Sequence, residues 1–110
     1  MIDETLGKIE TRIRSSEAIG PERRDELLLL LAKLKTEVAE LHKTHDQKAQ
    51  SIARFADISA QEATRPEKDA DSLNRSLSKL NASVEGFETS HPRLVQIVNS
   101  ISNSLSNLGI

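Results

Sequence analysis

From Leu73 to Leu108 an apolar or ring-bearing side chain recurs at Leu73, Leu77, Leu80, Val84, Phe87, His91, Leu94, Val98, Ile101, Leu105 and Leu108. The steps alternate fours and threes over five heptads. A strand repeats every second residue, so this spacing belongs to one stripe of a helix and has the period of a coiled-coil seam. The upstream sequence repeats it in Leu27, Leu31, Leu34, Val38, Leu41, His45, Lys48, Ile52 and Phe55, and in Ile2, Leu6, Ile9 and Ile13. Few other constraints bear on the fold so heavily: the chain is all-α.

Helix breakers divide the stripes. Gly20-Pro21 ends one segment and opens the next, with Glu22, Asp25 and Glu26 near the positive end of the new helix. Thr64-Arg65-Pro66 is the second break, Pro92 the third, and Gly109 a stop. These marks predict a single helical domain over residues 1–110, with helices near 3–18, 21–63 and 69–108. Pro92 removes an N–H and collides with the carbonyl of Glu88, while Phe87 and Leu94 stay one heptad apart. The expectation there is a kinked helix that keeps its direction.

Two long helices joined by a short turn run antiparallel. The expected architecture is an elongated helical hairpin or coiled coil with a short N-terminal helix, assembling into a helical bundle. At about 1.5 Å per residue the helix near 21–63 would be about 60 Å long. The leucines at 27–31 point to every side of a helix, which predicts burial all round by helix 1, by the C-terminal segment and by another chain. The distal arm carries Ala53, Ala56, Ala60 and Ala63 opposite Ser72, Asn74, Ser76, Ser78, Asn81 and Ser83, all on its outer face. It is either a loose hairpin tip or a surface paired with a second subunit.

Composition narrows function by exclusion. The 110 residues carry a net charge of −2 and no cysteine. No basic face favours nucleic acid, and disulfide and thiol chemistry are absent. The longest apolar run, Leu27 to Ala32, is too short for a bilayer, and MIDETLGKIE has no secretory pattern, so a soluble, cytoplasmic protein is expected. No phosphate loop, HExxH or nucleophile elbow occurs.

The chemistry-bearing candidates are the three histidines. His42 and His45 lie one turn apart, and equal rise along antiparallel arms sets His45 level with His91, with Asp46 and Glu88 close by. Glu88-Thr89-Ser90-His91 has the Glu-x-x-His spacing of di-iron bundles, which need two such motifs and two more glutamates. A polar layer fixing register in the seam accounts for His45, Lys48 and His91 equally well.

HPRLVQIVNSISNSLSNLGI, residues 91–110, resembles the ending of a family of short uncharacterised bacterial helical proteins, a domain of unknown function. The resemblance rests on His91, Pro92, Leu94, Asn99, Leu105, Gly109 and Ile110. It implies no activity, cofactor or site residue. The expected function is therefore non-enzymatic: a homo-oligomeric scaffold or adaptor mediating protein–protein interaction, without cofactor, nucleic acid or membrane. The alternative is a metal-binding bundle built on His42, His45 and His91. At the C-terminus, Gly109 is expected in a left-handed cap with Ile110 packed on Leu105.

Overall fold

A computed structural model describes residues 2–108 of the chain. Among them are five helices and no strand: α1 Ile2–Ser15, α2 Pro21–His42, α3 Asp46–Ala63, α4 Ala70–Ser83 and α5 Pro92–Leu108. The expected Gly109 cap and the Ile110–Leu105 contact lie outside the described residues.

The elongated hairpin does not form. The molecule measures 37 × 24 × 22 Å, too short for a helix of about 60 Å. The expected helix near 21–63 turns back at Lys43-Thr44-His45, and α3 folds against α2. The turn costs few hydrogen bonds. Lys43 N–H donates to Glu40 O, and the N–H groups of Thr44 and His45 both donate to Leu41 O. His45 leaves the helical conformation, at φ −137° and ψ 66°, whereas Lys43 stays helical at φ −63°. In return α3 lies against every other helix. Ala49, Ile52, Ala53, Ala56, Ser59, Ala60 and Ala63 are all buried. Burying Ile52 alone is worth about 1.5–3 kcal/mol, against about 1 kcal/mol for a typical net hydrogen bond.

The alanine-rich stretch is therefore neither a loose tip nor a surface left for another subunit. It is the central helix, and its small side chains let four neighbours approach closely. Ser76, expected on the outer face of α4, is buried as well. The helix α1 runs antiparallel to α2, since Arg24 in the first turn of α2 meets the last carbonyls of α1. It runs parallel to α3: Ile2 shares a cleft with Gln50, and Ser15 shares one with Thr64.

The second correction concerns Pro92. The expected kinked helix near 69–108 is two helices separated by residues 84–91. The helix ends at Ser83, and the turn that follows passes through Gly86, whose φ of +94° suits a residue without a Cβ. Pro92 then opens α5 as its first residue, where a missing N–H costs nothing. Val84 and Phe87 remain buried within the connection, at 3% and 8% exposure. The seam thus correctly marks what is buried, although no single helix carries it.

The leucine run is only partly enclosed within the chain itself. Leu27 and Leu31 are buried, Leu28 and Leu30 are half-buried, and Leu29 is 58% exposed. The helices α1, α3 and α5 all pack on α2, and the face that carries Leu29 is left open.

Candidate functional site

His45 and His91 meet, as equal levels along the chain predict, but as helix caps rather than as seam residues. The carbonyl of His45 accepts the N–H of Ala49, the first bond of α3, and that of His91 accepts the N–H of Val95, the first of α5. Each ring is steadied by the hydroxyl of the preceding residue: Thr44 Oγ1 lies 2.8 Å from His45 Nδ1, and Ser90 Oγ lies 3.0 Å from His91 Nδ1. Phe87 fills the space between them. Its ring centre is 5.4 Å from His45 and 5.5 Å from His91, the two imidazoles are 6.4 Å apart, and all three contacts are edge-to-face. Aromatic pairs prefer this geometry, because a positive ring edge meets a negative face. The cluster pins the starts of α3 and α5 together.

The other expected ligands are elsewhere. His42 Nδ1 pairs with Asp46 Oδ1 at 2.6 Å, with both side chains about half exposed. It borders a cleft with Ile2, Asp3 and Ala39 on the α1 side. Glu88 turns inward on its own loop, where Oε2 accepts the N–H of Gly86 at 2.9 Å. Its loop is not helical, so the Glu-x-x-His spacing never places the two side chains on one helical face. The histidine layer is not assembled, and among the described residues no three or more His, Cys, Asp or Glu stand together to hold a metal.

The largest cleft, of about 1120 Å³, lies away from the histidines, between α1 and the α3–α4 connection. Its basic groups are Lys8, Arg12, Arg65 and Lys68. Arg65 is committed to Glu62 at 3.0 Å, and that hydrogen bond, then the charge of Glu62, hold its guanidinium more firmly protonated. Lys68 Nζ donates to the carbonyls of Ala63 and Leu108, at the last turns of α3 and α5. A cation at the negative end of a helix is favourable, and Lys68 serves two such ends. Glu4 and Glu17 on the same walls offset the remaining cations.

Arg24, Lys68 and Gly86 were not legible as structural residues. The pair Glu85-Gly86 is a turn signal that the unbroken heptad obscured. No local signal marks Arg24 or Lys68, because their carbonyl partners come from helices packed alongside. Leu29 had a signal in the run itself: it lies between the acidic Glu22, Asp25 and Glu26 and the basic Lys33, on a face of α2 that the bundle leaves open.

Fold and site together define a small all-helical bundle whose His45 and His91 serve as helix caps and whose most exposed large apolar side chain, among the described residues, is on α2. The chain belongs to the family DUF4404, a domain of unknown function, which matches residues 27–110. The matched stretch begins at Leu27, so α1 precedes it. No curated protein and no solved structure matches the chain. Among the described residues no helix is long and apolar enough to cross a membrane.

Proposed function

We propose that the protein is a non-enzymatic, homo-oligomeric scaffold or adaptor that works through its helical surfaces. Leu29 carries this reading: it is 58% exposed on α2, and among the described residues the other large apolar side chain shown to solvent is Ile58 on α3, at 39%. A single exposed leucine is ordinary. Leu29, however, is flanked by half-buried Leu28 and Leu30, which makes a continuous apolar strip rimmed by Asp25, Glu26 and Lys33. Apolar strips with charged rims are the surfaces on which proteins meet. The histidines support the same reading, since their rings and Nδ1 atoms are engaged at helix caps. The cysteine-free sequence suits such a role in the cytoplasm.

Light scattering on the full chain at micromolar concentration tests it. The expected result is a mass at least twice that of the 12.2 kDa chain. A clean monomer across that range overturns the reading.

A further inference from the structure

We infer that the face of α2 centred on Leu29 and Ala32 is a two-fold, antiparallel self-association site whose occupant is α2 of a second copy of this chain. The inference rests on the homo-oligomeric reading above and specifies its surface and register.

Three residues set the middle of this face. Leu29, Ala32 and Thr36 are spaced by three and four, and all are exposed. They form one stripe on the side of α2 opposite buried Leu27, Leu31 and Leu34. In an antiparallel pair with a two-fold axis between Leu29 and Ala32, each Leu29 faces Ala32 of the second copy. A large side chain meets a small one twice, so the helices can close on each other.

The flanks are then determined. Under such an axis, a residue faces the residue on the same flank at the mirrored height. Glu26 lies on the flank next to α5, where its Oε1 accepts the hydroxyl of Ser104 at 2.8 Å. Lys33, seven residues later, returns to the same flank after two turns. In the register that joins Leu29 to Ala32, the height mirrored from Glu26 is that of residue 35; Lys33 of the other copy lies on the same flank two residues, about 3 Å, from that height, within reach of the Glu26 carboxylate. Ser104 already orders the Glu26 carboxylate and leaves Oε2 for the lysine, which lowers the entropy lost on pairing. A parallel arrangement would instead set the acidic turn of Glu22, Asp25 and Glu26 against itself.

The flank next to α1 supplies a second, independent fit. There α1 and α2 leave a recess of about 270 Å³ lined by the apolar Leu6, Gly7, Leu28, Leu31 and Ala32 and by the charged Glu10, Arg14 and Lys35. Ala32 stands at its edge, and a Cβ added at Gly7 would meet nothing within 4 Å. A leucine laid over Ala32 from a second copy reaches the leucines that line this recess. The size pattern sets the register, and the charge pattern and the recess are compatible with it.

Sedimentation equilibrium on the full chain and three variants tests the inference, with circular dichroism to verify folding. All substituted positions are exposed. The wild type is expected to dimerise. Lys33→Glu and Glu26→Lys, each alone, set like charges together twice and should weaken the dimer at least about tenfold. An equimolar mixture of these two variants restores both pairs and should dimerise with near wild-type affinity. Leu29→Lys should weaken the dimer about a hundredfold. A mixture no tighter than either variant alone overturns the inference. A dimer insensitive to all three substitutions also overturns it, but leaves the homo-oligomeric reading intact. A monomeric wild type removes both.

Discussion

Arg24 reaches from the start of α2 to three carbonyls, one in the last turn of α1 and two in the connection that follows it. Its Nε lies 3.3 Å from Ile13 O, and one terminal nitrogen lies 2.7 Å from Ser16 O and 2.9 Å from Ile19 O. These carbonyls have no helical partner, and a guanidinium serves several at once because its donors form a planar fork. Arg24→Met keeps much of the stem and removes the donors. It should cost about 2 kcal/mol in chemical denaturation, and an unchanged midpoint would show that water serves these carbonyls equally well. Ser59 is the opposite case: fully buried, with a hydroxyl that has no partner. Ser59→Ala should be neutral or stabilising, by up to about 1 kcal/mol, because a desolvated hydroxyl gains nothing by staying. Asp69 caps α4, and its carboxyl is held below the usual carboxylate range by the backbone N–H and then the hydroxyl of Ser72. A lowered folded pKa gives stability that is present above the unfolded value and lost as pH falls through the folded one. Asp69→Asn keeps a capping oxygen without the charge. The gap in melting temperature between it and the wild type should narrow as pH drops through the acid range; a constant gap would contradict the charged cap.

The helices show where local preference gives way to packing. Leu41, His45, Lys48 and Ile52 continue the heptad through the α2–α3 turn, so this stretch could also form one straight helix. Two features oppose that. The His45 ring is engaged with Phe87 and His91, and the buried face of α3 has somewhere to go only if the chain turns. The double substitution Thr44→Ala and His45→Leu removes the β-branch and the ring contacts and favours the straight form. Spin labels on cysteines introduced at Thr36 and Gln61 should then report distances lengthening toward about 38 Å, the span of a continuous helix. Short hinges of this kind are the usual route to exchanged segments between copies. An unchanged distance distribution would mean that packing alone holds the turn closed. The α4–α5 connection differs, since its break is written in backbone chemistry. A Cβ at Gly86 would meet no neighbour within 4 Å, so Gly86→Ala should cost about 1 kcal/mol purely through its positive φ. Thermal melting measures this directly.

For the molecule as a whole, α3 explains the economy of size. A helix enclosed by four others needs small side chains, and Ala49, Ala53, Ala56, Ala60 and Ala63 supply them. The chain thereby covers by itself most of the apolar surface that an extended hairpin would have left for a second subunit. What remain among the described residues are Ile58 on α3 and a strip on α2 around Leu29, much smaller than the exposed seam that the extended form implied. Self-association through that strip should be correspondingly modest and sensitive to ionic strength, since its flanking ion pairs are screened by salt. Raising sodium chloride from 50 mM to 500 mM should weaken the dimer severalfold. A salt-independent association constant would locate the contact on a surface without those pairs.

Helical periodicity is a local property, and it was readable throughout: the all-α class, the apolar stripe of each segment, the break at Gly20-Pro21 and the proximity of His45 to His91. These follow from side-chain spacing along the chain, which holds whatever the helices later pack against. Burial of the seam was equally legible, because Val84, Phe87 and Leu94 are apolar in any arrangement. Whether two consecutive stripes share one straight helix or fold onto each other is a different kind of question. A heptad that runs in phase fits both, and the choice depends on burial gained across the turn between residues far apart in sequence. That gain decided the turn at His45, the enclosure of α3 and the dispersal of the histidine layer. It also left Leu29 exposed, because α1, α3 and α5 pack on the other sides of α2 and none of the described helices covers the face that Leu29 occupies.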